Sequence, residues 1–232
     1  NMLSIKNFSK SYKGGKLAVD NLSIEVNSGE IYGFIGHNGA GKSTTIKSIV
    51  GILDFEGGDI LINGTLIKKN PVACKKQMAY IPDNPDLYES LTGIKYLNFI
   101  SDVYEVSKEV RKEKIEKYAK LFGLTDALNN YIASYSHGMK QKLALISAFI
   151  HEPKILVLDE PFVGLDPKAS FLVKQVMKEF CDNGGIIFFS THILEVAQKL
   201  CNKIAIIKNG RLIKSGLMEE VIGDSALEDV FM

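Results

Sequence analysis

Apolar and polar residues alternate with a period of two through the first third of the chain, the pattern of half-buried strands. Leu3, Ile5 and Phe8 open one strand, and Leu22, Ile24 and Val26 alternate through another. Residues 31–35 form a continuous apolar run, as expected of a strand buried on both faces. Asn63-Gly64 sits between two further apolar runs and predicts a tight hairpin. A short strand over 78–81 is stopped by Pro82 and Pro85.

The middle has a different period. From 92 to 150 there is no proline, and the residues are mostly good helix formers. Ile115, Tyr118, Ala119 and Phe122 fall at i, i+3, i+4 and i+7, one helical face, and Met139, Leu143, Ile146 and Ile150 repeat a similar spacing. After Pro153 strands (155–158, 186–190, 204–207, 212–214) alternate with helical stretches (168–180, 193–200), and Asn209-Gly210 joins the last two strands. Such alternation predicts an α/β fold with a mostly parallel sheet covered by helices. We expect one domain over 1–232: an α/β core from 1–82 and 151–232 with an antiparallel β portion near the N-terminus, and an inserted helical subdomain over 83–150.

Composition narrows the function classes. The chain has 232 residues, 46% of them hydrophobic, and a formal net charge of +1. No apolar run approaches the ~18 residues of a membrane-spanning helix, so no direct membrane insertion is expected. Only Arg111 and Arg211 are arginine. With so little arginine and almost no net charge, the chain lacks a basic footprint, which speaks against direct nucleic-acid binding. Cys74, Cys181 and Cys201 are odd in number and widely spaced, which favours a reducing compartment over a disulfide framework. The start shows no export signal.

The first chemical signal is Gly36-His37-Asn38-Gly39-Ala40-Gly41-Lys42-Ser43, a GxxxxGK[ST] phosphate loop. It follows the strand over 31–35 and precedes a helical stretch over 44–50, the context this motif requires. Glycines let successive backbone N–H groups turn toward phosphate oxygens. The helix start, with Thr44 in its first turn, adds its positive end. Lys42 supplies a point charge to the β- and γ-phosphates, and the Ser43 hydroxyl is a ligand for Mg²⁺. The chain is therefore expected to bind a nucleoside triphosphate on a P-loop NTPase (RecA-like) core.

The second signal is an apolar strand ending in Asp159-Glu160, at the carboxyl edge where α/β sheets bind ligands. Asp159 is suited to the Mg²⁺ shell. Glu160 can polarise an attacking water as general base.

In this order, and with Gly164-Leu165-Asp166-Pro167 and Ser190-Thr191-His192 following, the residues resemble the ATP-binding cassette (ABC) ATPases over nearly the whole chain. The resemblance implies ATP and Mg²⁺ as cofactors, Tyr12 stacked on adenine, and His192 on the γ-phosphate. It implies a signature loop at Tyr135-Ser136-His137-Gly138-Met139, in which Ser136 and Gly138 reach the ATP of a second cassette. Asp166 would link the two sites of that head-to-tail dimer. Ser136 also suits a helix N-cap. The signature, continuing through Lys140-Gln141-Lys142, resembles that of multidrug, antibiotic and sodium exporters, and the tail over 225–232 resembles their acidic-aromatic endings. A separate transmembrane permease subunit, docked near 83–92, and a peripheral place on the cytoplasmic face of the membrane are implied in turn.

The chain departs from the family where a glutamine is expected after the strand over 78–81. Asp83 stands there and could still coordinate Mg²⁺ with a shorter reach. The alternative reading is a soluble ABC ATPase with a mechanical or regulatory role; one phosphate loop and no sustained heptads weigh against it.

Overall fold

The computed structural model describes residues 2–223; the acidic-aromatic tail over 225–232 lies outside them. In chain order, β1 (Met2–Ser11), β2 (Leu17–Asn27) and β3 (Ile31–Ile35) lead into α1 (Lys42–Ile49). Then come β4 (Gly57–Ile62), β5 (Thr65–Leu66), α2 (Pro71–Lys76) and β6 (Met78–Ile81). Three longer helices follow, α3 (Gly93–Val103), α4 (Lys108–Leu121) and α5 (His137–Ile150). The chain returns through β7 (Ile155–Asp159), α6 (Pro167–Asp182), β8 (Ile186–Thr191), α7 (Leu194–Leu200), β9 (Lys203–Lys208), β10 (Arg211–Leu217) and α8 (Met218–Ile222). The fold is α/β, as the alternation predicts.

The chain divides into two compact units. The first holds the chain up to Tyr80, Lys154–Glu160 and the chain from Met177 onward; the second holds Ile81–Pro153 and Pro161–Val176.

The first unit carries two sheets. One is antiparallel, in the order β2-β1-β4-β5, with Leu3 opposite both Val26 and Ile62. The other has the order β10-β9-β3-β8-β7-β6. In it β3 pairs parallel with β8 and β9, and β7 pairs parallel with β8, while β10 closes antiparallel on β9. Strands β3, β7 and β8 are buried along their whole length, so their sequences are apolar runs rather than alternations. Their core includes Phe34 and Phe188, whose ring centroids lie 5.4 Å apart. Register then sets the chemistry: Ile35 lies beside Thr191 and Asp159 beside Ser190 at the carboxyl edge.

In the second unit each long helix starts on a hydroxyl cap. Thr92, Ser107 and Ser136 accept hydrogen bonds from the N–H groups of Lys95, Val110 and Met139. The predicted faces are the buried ones: Ile115, Ala119 and Phe122 on α4 and just beyond it, and Leu143, Ile146 and Ile150 on α5. Tyr118 stacks on Phe149 at 5.4 Å.

Two features differ from the expectation. Helix α2 lies outside the predicted elements, although Asn70 caps it and Pro71 occupies its first turn, a local start signal. The segment Pro161–Val176 groups with the second unit rather than with the core. Its loop packs on the start of α5: Gln141 Nε2 donates to the Pro161 carbonyl at 3.4 Å. A Cβ placed on Gly164 would lie 2.5 Å from His137 Cδ2.

Candidate functional site

The phosphate loop, Gly36 to Lys42, bridges the end of β3 and the start of α1. Its glycines answer to two distinct needs. At Gly36 a Cβ would sit 2.6 Å from the Ile207 carbonyl oxygen, so only glycine lets the loop pass that strand. Gly41 adopts φ +109 as the N-cap of α1, and a Cβ there would meet the Ala18 carbonyl at 2.8 Å. Because Gly41 has no side chain, no side-chain cap covers the first amides of α1. They remain available to an anion. His37, Asn38 and Gly39 form the exposed crest, while Ala40 is buried. The Gly210 N–H donates to the Ala40 carbonyl at 2.9 Å, so the β9–β10 turn supports the loop from below.

Lys42 folds back inside. Its ammonium donates to the Gly36 carbonyl at 2.5 Å and to Glu160 Oε1 at 3.3 Å. Glu160 Oε1 also lies 2.8 Å from His192 Nδ1. A lysine, a carboxylate and an imidazole therefore form one chain of contacts over the phosphate loop. Glu160 holds a left-handed backbone, φ +48, uncommon for a residue with a side chain. Its N–H is shared between the carbonyl and the hydroxyl of Ser190, each at 3.2 Å.

Asp159 and Ser43 form the second cluster. Ser43 Oγ donates to Asp159 Oδ2 at 3.4 Å, and Ser190 Oγ donates to Asp159 Oδ1 at 2.6 Å. Ser43 and Asp159 supply only hard oxygen donors, the kind Mg²⁺ selects. Two neighbouring ligands of an octahedral Mg²⁺ lie about 3.0 Å apart, so the observed separation fits with little movement.

Tyr12 stands at the end of the β1 hairpin, half exposed, with its hydroxyl 3.0 Å from Thr44 Oγ1 at the start of α1. It lines a pocket of about 420 Å³ together with Lys13, Lys16, Gly39 and Asn209. The phosphate loop and the ring thus border one concavity.

All of these groups lie in the first unit. The second unit carries the rest of the predicted set. Ser136 caps α5, and Gly138 follows in its first turn. Asp166 Oδ1 accepts from the Ala169 N–H at 2.7 Å and caps the start of α6. Asp83 is exposed and takes the Asn84 N–H on its own Oδ1 at 2.9 Å. Ser190, a fully buried hydroxyl outside the predicted set, joins Asp159 to the backbone of Glu160. Its signal was a polar residue ending an apolar strand, which gains meaning only once register sets it beside Asp159.

A family model described as ABC transporter matches residues 19–163. The ABC-type transporter ATP-binding protein EcsA of Bacillus subtilis (strain 168) is 36% identical over 236 residues, covering 100% of this chain and 95% of that protein. The linearmycin resistance ATP-binding protein LnrL of the same organism is 32% identical over 231 residues, covering 98% of this chain and 74% of that protein. A solved structure of the ATP binding subunit of an ABC transporter superposes with a TM-score of 0.92 at 36% identity, covering 98% of this chain and 94% of that one.

Proposed function

The chain belongs to the ABC transporter family as an ATP-binding protein, and from that premise we propose that it hydrolyses ATP to ADP and phosphate to drive transport through a separate membrane subunit. The observation that carries this reading is the contact chain Lys42–Glu160–His192, set beside the Ser43–Asp159 pair.

Each residue then has a task. The loop amides of residues 36–44 and the Lys42 ammonium hold the triphosphate, and Tyr12 stacks on adenine. Ser43 and Asp159 would hold Mg²⁺, with Asp83 as a further candidate ligand. When bound, the ion offsets negative charge on the phosphate oxygens. Glu160 Oε1 accepts a proton from the attacking water, and the charge of Lys42 is the group beside it that the γ-phosphate claims. His192, hydrogen-bonded through Nδ1 to the same oxygen, orients Glu160 and turns its other nitrogen to the γ-phosphate.

The signature residues Ser136 and Gly138, with Asp166, would complete the site of a second cassette in a head-to-tail dimer. The membrane subunit would dock near 83–92, where Tyr88 and Phe99 of the second unit are exposed and meet edge to face at 5.6 Å. The chain would then be peripheral on the cytoplasmic face of the membrane, and export is the direction we favour, supported by the signature sequence and by the likeness to a resistance protein. The Glu160→Gln variant tests the assignment. It is expected to bind ATP, to lose turnover and to accumulate as an ATP-bound dimer; retained turnover would exclude Glu160 as the base.

A further inference from the structure

Gln141 lies in the first half of α5, and only 1% of its surface is exposed. Its Nε2 donates to the Pro161 carbonyl, while its Oε1 is buried with no hydrogen-bond partner among the described residues. A carboxamide half-satisfied in this way is a poor contributor to stability, because an orphaned buried acceptor costs about 1–3 kcal/mol. An apolar side chain of the same length would serve packing better. The place of its one hydrogen bond suggests why an amide stands there.

Pro161 is bonded directly to Glu160, and the division between the two compact units falls on that peptide link. On the Glu160 side the backbone is held by Ser190 and the side chain by Lys42 and His192. On the Pro161 side the carbonyl is held by Gln141, from the helix that Ser136 caps. Between these anchors Glu160 keeps its left-handed φ of +48, a conformation that persists only where its surroundings impose it.

We propose that Gln141 is a positioning residue for Glu160. By holding the Pro161 carbonyl it restrains the peptide link from which the carboxylate is aimed. The inference rests on the reading of Glu160 as general base.

The test compares the full chain with Gln141→Met, which keeps length and bulk but removes both polar atoms, and with Gln141→Glu, which keeps the shape but loses the donor when ionised. ATP turnover is followed as kcat and KM beside the melting temperature. We expect kcat to fall about tenfold or more in both variants with KM for ATP nearly unchanged, as misplacement of a reacting group requires. Gln141→Met should melt at the same temperature as the parent or higher. In a Glu160→Gln background the Gln141→Met change should leave ATP affinity and residual turnover where they were. Unchanged kcat in a folded Gln141→Met variant overturns the proposal. So does a lowered melting temperature with kcat and KM impaired together, which is a packing role. A parent chain whose turnover survives Glu160→Gln would instead overturn the reading beneath it.

Discussion

Lys42 Nζ lies 3.3 Å from Glu160 Oε1, in surroundings that leave only 6% and 14% of the two side chains exposed. The ammonium proposed to meet a γ-phosphate is engaged by the carboxylate proposed as base for an attacking water. On the proposed reading, arriving nucleotide takes Lys42 from Glu160 and so frees Glu160 to turn toward a water molecule. The competition has a measurable sign. Glu160→Gln removes the negative partner but keeps the shape, so nucleotide no longer has to break a buried ion pair and ATP affinity without divalent metal should rise by about fivefold or more. Titration calorimetry in EDTA reads this directly; equal or weaker binding would show that the pair does not oppose nucleotide.

Tyr12 separates two contributions that sit on one side chain. The ring borders the pocket and the hydroxyl bonds Thr44. If stacking holds the base, Tyr12→Phe keeps nearly all of the affinity, whereas Tyr12→Ala loses about 1–3 kcal/mol, roughly 5- to 150-fold. Fluorescence displacement of a labelled ATP would distinguish them. Equal losses in both variants would assign the work to the hydroxyl and its hold on Thr44.

The contrast between what the residues announced and what needed coordinates follows from range. The phosphate loop was legible because its chemistry is local: eight consecutive residues between a strand and a helix specify turn, charge and hydroxyl together. Helices α4 and α5 were legible because their apolar faces repeat within four residues. Ser190 was not, because its value depends on lying beside Asp159, 31 positions away, in a register that no local pattern encodes. The grouping of Pro161–Val176 with α5 was hidden for the same reason. It depends on a carboxamide reaching a carbonyl 20 residues on, and on glycine at 164 making room for the ring of His137. Helix α2 is the opposite case, where Asn70 and Pro71 gave a local start signal that a six-residue helix made easy to pass over.

Ser190 is accordingly the residue whose removal should damage stability and chemistry together. Its hydroxyl donates to Asp159 at 2.6 Å and accepts from the Glu160 N–H at 3.2 Å, with no exposure to solvent. A hydrogen bond to a buried carboxylate contributes about 1.5–3 kcal/mol, so Ser190→Ala should lower unfolding free energy by that order. The second-order effect is on the site: Asp159 loses the bond that orients it toward Ser43. We expect the Mg²⁺ concentration for half-maximal turnover to rise in Ser190→Ala, and Ser190→Thr to restore part of it. Denaturant unfolding and a Mg²⁺ titration of ATPase activity check the two halves; an unchanged Mg²⁺ requirement would confine Ser190 to a structural role.

Both arginines are committed elsewhere, and this bears on where transition-state charge is met. Arg111 pairs with Asp102 at 2.7 Å and donates to the Val106 carbonyl, and Arg211 pairs with Asp20 at 2.8 Å. Neither can act as a finger in its own chain without giving up these bonds. On the proposed reading, the groups left within one copy to stabilise the γ-phosphate are Lys42, His192 and the loop amides, and Ser136 and Gly138 of a second copy would make good the shortfall. Activity should then follow the dimer rather than the chain. Below the dimerisation constant the dimer fraction falls in proportion to concentration, so tenfold dilution should cost about tenfold in specific activity. Ser136→Ala should flatten the curve at a low value while leaving ATP affinity of the dilute chain intact. ATPase assays across the concentration range, paired with sedimentation of the Glu160→Gln variant in ATP, measure both quantities. A specific activity independent of concentration while sedimentation passes from one copy to two would show that each chain completes its own site.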